Sequence, residues 1–363
     1  MTRPYSIESI TSQLHNAGLP LAKHFARALV ALLTAKKISL YHVAALMAGK
    51  TNAEANRMQL RRCLDHRDLQ ADVWAKVIGS LLPKGPWILA LDRTQWERGQ
   101  TCLNLLVLSV VIYGSAVPLL WTIMADEGAS DTEERIALMK QFLSIFGASH
   151  WRFLTADREF IGDRWIGWLM DEGLDFRIRV KAGEWFMSPD GRDLQGKQWF
   201  SQASCQCKPW RMQLWNQKVY VGGKPLSGGD TLVVIGNSCS DLLSDYRLRW
   251  KIEVLFQGLK GRGFDLESCR LSQEKRLWGW FGVLALGFCW CLLQGAQLEQ
   301  VSPVKIKKHG RPQMSCFRRG LECLASLVAC LAGRPNRADF ESALGLLSPV
   351  QGPIKEQATI PAL

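Results

Sequence analysis

At 363 residues the chain is long enough for one large domain with appendages, or for two to three modest ones. Its 47% hydrophobic and 21% charged residues supply an ample core and exclude a disordered tail. A net charge of +12 and a pI near 9.3 favour a polyanionic partner, and the charge is concentrated: 305–319 carry six Lys or Arg and no acid, and 246–262 carry five against the lone Glu253.

Residues 1–80 are helical in pattern, with apolar residues at helical spacing over Leu21–Leu33. Ser39 is placed to cap a short helix Leu40–Ala48, and Gly49 to close it. Asn52–Leu64 follows, displaying Arg57, Arg61 and Arg62. Two short helices around a glycine turn, the second basic, suggest a helix-turn-helix that enters a major groove, against the plainer reading of a helical bundle with a solvated basic face. A helical DNA-binding domain is therefore expected over 1–82, with Pro83-Lys84-Gly85-Pro86 as the linker out of it.

From residue 87 the pattern turns to strands. Trp87–Leu91 is short, apolar and ends at Asp92; Leu103–Ile112 and Val117–Met124 follow. Ser130 with Glu133 suggests a capping box for a helix that buries Ile136, Met139, Leu143 and Phe146. Trp151–Thr155 is a strand ending just before Asp157, then come a helix to Glu172 and a strand Asp175–Val180. The order β-β-β-α-β-α-β is that of an RNase H-like core, an α/β fold with a mixed sheet and flanking helices. Residues 181–230, rich in glycine and holding Trp185, Trp199, Trp210 and Trp215, suggest a β-rich insertion. Leu232–Ile235 returns to strand and Asp241–Lys260 to helix. The catalytic domain spans 87–300, and 301–363 form a basic C-terminal segment.

Two uncharged runs invite a membrane reading. Leu105–Ala125 is interrupted by Gly114-Ser115 and Pro118 and fits two buried strands. Leu277–Leu298 fits a buried helix against a sheet. No membrane partner is expected, and a cytoplasmic location follows. Eleven cysteines in a chain of this size, without a signal peptide, indicate reduced thiols. The C-x-C spacing at Cys205/Cys207 and Cys289/Cys291 is not the paired C-x-x-C of a zinc site.

Three carboxylates stand where a metal-dependent nuclease needs them: Asp92 and Asp157 after buried strands, and Glu253 on a helix. Strand ends bring distant residues to one sheet edge, and carboxylate oxygens suit Mg²⁺, a hard cation. Two such ions can activate an attacking hydroxyl and stabilise the leaving oxygen. On an ideal helix, at about 100° per residue, Arg249, Glu253 and Lys260 fall about −60°, −20° and −40° from Tyr246, all on one face. A surface salt-bridge stripe would account for Arg249 and Glu253 but not for Tyr246 and Lys260.

Tyr246, Arg249, Glu253 and Lys260 match the Y-R-E-K signature of bacterial insertion-sequence transposases typified by insertion sequence 4. The settings of Asp92 (Leu-Ala-Leu-Asp-Arg-Thr) and Asp157 (Thr-Ala-Asp-Arg-Glu-Phe) resemble that family's first two acidic motifs. The resemblance, over roughly 85–300, implies a DDE transposase that cuts and pastes double-stranded DNA as a DNA-bound homodimer. It implies Asp92, Asp157 and Glu253 as ligands of two Mg²⁺ ions, with Mn²⁺ as a substitute, and Tyr246, Arg249 and Lys260 as contacts to DNA near the scissile phosphate. It also implies hairpin ends and an insertion-domain aromatic that receives a flipped base, although each of the four tryptophans there is more ordinary as core. The rival readings are an RNase H-like structure-specific nuclease and a non-catalytic DNA-binding inhibitor of transposition.

Overall fold

The protein is described by a computed structural model covering residues 7–47, 51–98, 101–124, 128, 130–201, 209–239, 241–271, 273–308, 310, 312–330 and 337–350. Five helices come first: α1 (Ile7–Asn16), α2 (Ala22–Ala35), α3 (Leu40–Leu46), α4 (Ala53–Leu64) and α5 (Ala71–Leu81). Then follow β1 (Trp87–Arg98), β2 (Thr101–Ile112), β3 (Ser115–Ile123), α6 (Thr132–Phe146), β4 (Trp151–Ala156), α7 (Asp163–Asp171) and β5 (Phe176–Val180). After β6 (Trp185–Met187), β7 (Asp193–Gln195), α8 (Gly196–Trp199), β8 (Trp210–Leu214) and β9 (Gln217–Pro225), the chain re-enters the middle of the sheet as β10 (Thr231–Gly236). It ends with α9 (Leu242–Tyr246), α10 (Trp250–Leu259), α11 (Glu274–Val301), α12 (Cys316–Ala329) and α13 (Arg337–Gly345).

All ten strands form one sheet in the order β3-β2-β1-β4-β5-β10-β9-β8-β6-β7. Its first half is the expected RNase H-like arrangement: an antiparallel meander β1–β3, then β4 and β5 parallel to β1. The second half refines the expectation for 181–230. Those strands are not a separate lobe but widen the same sheet, because β10 pairs antiparallel with both β5 and β9.

β2 is buried without a break from Leu103 to Val110, which explains its continuous apolar run. Tyr113 and Gly114, both at positive φ, close the β2–β3 hairpin, one residue earlier than the sequence suggested. Pro118 sits in β3, at the sheet edge, beside a bulge that skips Leu119, so no ladder needs its missing N–H. The α6 cap also differs by one residue. Asp131 and Glu134, not Ser130 and Glu133, make the capping box, with Asp131 Oδ1 accepting from Glu134 N at 2.7 Å. Ser130 is diverted to accept from the buried Arg135 guanidinium.

Helix α11 is long and apolar enough to cross a membrane, yet every residue from Gly279 to Ala296 is enclosed by protein. It packs against α2, α4, α5, α12 and β3. The helices of the expected 1–82 domain thus form a layer on this axis. Trp74 lies flat on Gly282, where a Cβ would sit 2.2 Å from the indole, and Trp280 Nε1 donates to Ile38 O at 2.6 Å. Within that layer Asn52 caps α4, and the buried Asn56 amide donates to Ala44 O and Met47 O, fixing the α3–α4 turn. Ser39 makes no side-chain cap, and the glycine expected to close α3, Gly49, lies outside the described residues.

The crossing of α11 and α12 leaves no room for a side chain. A Cβ on Gly320 would meet Cys291 O at 1.7 Å, and one on Gly295 would meet Cys316 O at 1.8 Å. Backbone cannot yield as a side-chain tip does, so Gly320→Ala should lower the unfolding free energy by about 3 kcal/mol, the upper range for overpacking. Urea denaturation checks this; an unchanged midpoint would show that the helices slide apart freely.

Candidate active site

The parallel pairing of β1 with β4 ends at Leu91↔Ala156, so the next residues, Asp92 and Asp157, emerge side by side at one sheet edge. There the two strands part. β4 stops, whereas β1 does not end at Asp92 as the sequence suggested but runs on to Arg98, paired only with β2. The divergence opens a cleft whose floor is β1. One wall is the loop 157–159 and the other is the stretch 249–262.

The Glu-bearing segment is not the single regular helix expected over Asp241–Lys260. α9 passes through a 3-10 turn at Arg247–Arg249 before α10 begins, and Lys260 is the C-terminal cap with its backbone turned out of the helix. The four positions nonetheless converge. Tyr246 Oη donates to Asp157 Oδ1 at 3.2 Å. Arg249, 7% exposed, forks between Asp92 Oδ2 at 3.3 Å and Glu253 Oε1 at 2.7 Å. Lys260 Nζ donates to Gln95 O at 2.8 Å, on the exposed continuation of β1. A cleft of 330 Å³ holds Asp92, Asp157, Glu159, Arg249 and Glu253, and an adjoining one of 480 Å³ runs along Phe256, Gln257, Lys260 and Arg262.

Burial dominates the electrostatics. It pushes the Asp92 carboxyl up to about 7, aided by the nearby Glu159 and Asp157 charges and opposed by the Arg93 backbone N–H and by Arg249. Burial likewise raises Tyr246, which therefore stays a protonated donor. Among the described residues no three acidic, His or Cys groups converge into a ready-made cage, because Arg249 spans Asp92 and Glu253. The donor set itself is all carboxylate oxygen, the chemistry a hard divalent cation requires.

The sequence is matched over residues 83–290 by the family described as the transposase DDE domain. The chain belongs to this family of transposases. These enzymes cleave DNA and transfer its strands with divalent metal. No curated protein matches the chain. A solved structure described as a cryo-EM structure of the piggyBac transposase synaptic complex with hairpin DNA is similar at 11% identity and a TM-score of 0.45, covering 99% of this chain and 86% of that one.

Four residues of this transposase escaped the sequence reading. Glu159, known only as part of the Asp157 setting, is a fourth carboxylate of the cleft; Arg93 Nε donates to both its oxygens at 3.1 and 3.0 Å. Since Arg93 N also donates to Asp92 Oδ1 at 2.8 Å, this pair ties one acidic position to the loop carrying the other. Buried Arg135 braces that loop from behind, donating to Ile161 O and facing the Phe160 ring at 5.5 Å. Trp250, 55% exposed, stands beside Arg249.

Other expected contacts lie elsewhere. Arg57 and Arg61 are half-buried on α4, Arg57 paired with Glu54, while Arg62 is exposed; none lines the cleft. Of the insertion tryptophans, Trp199 is core and Trp215 half-buried, Trp210 stacks on Phe200 at 5.8 Å, and Trp185 is exposed. Cys289 and Cys291 are buried in α11, and Cys205 and Cys207 lie outside the described residues.

The Asp92 shift has a signed consequence. A carboxyl whose pKa rises on folding, here from 3.8 to about 7, contributes stability below its unfolded pKa and loses it as pH climbs through the folded one. Asp92→Asn cannot ionise, so in metal-free protein its melting temperature relative to wild type should increase from about pH 4 to about pH 7 and then level off. A difference that stays constant across that window would mean that Asp92 ionises as an ordinary surface carboxylate.

Proposed function

We propose that the protein is a cut-and-paste transposase of the insertion-sequence-4 type, in which Asp92, Asp157 and Glu253 hold two Mg²⁺ ions, with Mn²⁺ as a substitute. The observation that carries this reading is the convergence of Tyr246 and Arg249 on all three carboxylates, with Lys260 at the open end of the same cleft. A surface salt-bridge stripe would account for Lys260, which also pairs with Glu267 at 3.5 Å, but not for Tyr246 bonded to Asp157.

Bound divalent metal supplies acidification of the attacking hydroxyl and charge relief at the leaving oxygen. The protein's own groups orient and bind. Tyr246 keeps its proton and, through it, fixes the direction of the Asp157 carboxylate. Arg249 has five donors, more than its two carboxylate partners use, and a planar fork suited to a phosphate. Lys260 and Arg262 line the longer cleft as charges for the flanking phosphates. Water attacks the transposon end and frees a 3′-hydroxyl; on the hairpin route that hydroxyl attacks the opposite strand, displacing the flanking DNA, and a second water reopens the hairpin before the regenerated 3′-hydroxyl attacks target DNA. The layer α1–α5, with Arg57, Arg61 and Arg62 on α4, is the surface proposed to recognise the ends. The working form is a homodimer on DNA in the bacterial cytoplasm, associated with the nucleoid.

Replacing Asp92, Asp157 or Glu253 with Ala should abolish Mg²⁺-dependent cleavage of transposon-end DNA and leave binding of that DNA largely intact. Near-wild-type cleavage by any one variant removes that residue from the site. Arg249→Lys preserves charge but not the fork, and Lys260→Ala removes a phosphate contact. Each should slow cleavage and strand transfer about a hundredfold, the effect of misplacing a phosphate by about 1 Å. Arg247→Ala, an exposed neighbour, should do neither. Cleavage without strand transfer in the wild type would favour an RNase H-like nuclease instead.

A further inference from the structure

A cluster of exposed lysines lies outside the cleft, between α11 and α12. Lys305–Lys308 and Pro312–Met314 form a small antiparallel hairpin, with Ile306 bridged to Pro312 and Gln313 N donating to Lys305 O at 2.9 Å. Its feet are anchored. Glu299 accepts from Val304 N at 2.8 Å and, through its other oxygen, from Arg319 of α12 at 2.8 Å. That commits the adjacent carboxylate on α11, while Glu322 is taken by Arg318. Lys305, Lys307 and Lys308 are therefore exposed without an ion-pair partner among the described residues.

The helix that follows the hairpin reaches the turn beside the cleft. Just beyond its second foot, Phe317 packs on the turn that follows α10: a Cβ on Gly263 would lie 2.7 Å from its ring, and Phe264 meets it at 5.7 Å. That turn carries Lys260 and Arg262. Phe317, at the start of α12, thus links the helix that follows the hairpin to the turn that carries the cleft cations.

We propose that this hairpin is a second DNA-binding surface, gripping the phosphate backbone of duplex DNA that leaves the cleft past Lys260 and Arg262. The inference rests on the transposase reading for the nature of the polyanion. Three free ammonium groups on an anchored support suit a phosphate track, since each phosphate contact releases counterions. They are point charges without a planar fork, so the contact is independent of base sequence. Two exposed apolar residues here, Val301 at 82% and Ile306 at 60%, are too little to hold a membrane.

The test is binding of full-length protein to random-sequence duplex DNA across a salt series. The variant Lys305→Gln/Lys307→Gln/Lys308→Gln is compared with a charge-matched control, Lys76→Gln/Lys140→Gln/Lys197→Gln. Three lost phosphate contacts should make the slope of log K against log salt shallower by about 2.7 and weaken binding at about 0.1 M salt on the order of a hundredfold. The control should keep the wild-type slope. A hairpin variant with the wild-type slope, or with no greater loss than the control, overturns the proposal. So does an unchanged DNA slope accompanied by lost binding to anionic phospholipid vesicles. Metal-dependent cleavage by the wild type, assayed in parallel, reports separately on the catalytic reading: its absence would sink that reading while a shallower slope would keep the hairpin.

Discussion

Two acidic side chains far apart in sequence can serve one chemical step only if the backbone delivers them together, and here the β1–β4 register does so. Parallel pairing runs to Leu91 and Ala156 and stops, so Asp92 and Asp157 leave adjacent strands at the same level. Pairing past this point would close the cleft; ending it earlier would set the two carboxylates at different heights. The divergence itself must be held, because two strands parting at a sheet edge leave backbone groups without a ladder. β1 solves this by continuing against β2, and the loop after β4 is held by the Arg93–Glu159 pair and by Arg135 behind it.

The same delivery creates an electrostatic problem. Desolvation disfavours the Asp92 charge, and neighbouring carboxylates add repulsion. An unpaired buried charge is costly, so a buried cation in contact with the group is the natural remedy. Arg249 is that cation, and its position depends on the 3-10 turn that breaks the helix around it. The helix in turn rests on β1–β3, and α11 holds β3 from the side. Trp74 on Gly282 and Trp280 bonded to Ile38 O fasten the first five helices to that axis. A surface on α4 and the acidic cleft are consequently parts of one packed body, and motion between them has to disturb this core.

Local features were legible in the sequence wherever one residue type has one strong reason to be where it is. Short apolar runs ending in aspartate marked β1 and β4, and uncharged runs marked β2, β3 and α11. Boundaries set by competing local partners were not. Ser130 looks as good a cap as Asp131 until Arg135 claims it, and β1 looks finished at Asp92 because its continuation is largely polar, although Thr94 and Trp96 are buried. That Tyr246, Arg249, Glu253 and Lys260 lie close together was legible from their spacing, although an ideal helix was the wrong geometric reason for it. The broken helix brings Tyr246, Arg249, Glu253 and Lys260 to one cleft from two helical segments and a cap. Contacts joining residues 66 positions apart, such as Arg93 with Glu159, leave no periodic trace in one sequence. Nor did the pattern of 181–230 reveal that its strands extend the central sheet, since strand pairing depends on partners rather than on composition.

The arrangement of charge accounts for how an acidic centre can accept a polyanion. Carboxylates alone would repel phosphate, and most strongly at Asp92, the most buried of them. The protein interleaves cations at each depth: Arg249 between the buried acids, Arg93 against Glu159, and Lys260 and Arg262 farther along the cleft. A duplex approaching from solvent meets the exposed lysines and arginines first, where charge is screened beyond about 8–10 Å and acts mainly by steering. Deeper in, the donors are fewer but fixed in direction, so they select a phosphate geometry rather than merely attract charge. On the proposed reading, affinity is loaded on the rim and geometry on the floor. That division explains why the strongly basic net charge of the chain coexists with a centre built from four carboxylates.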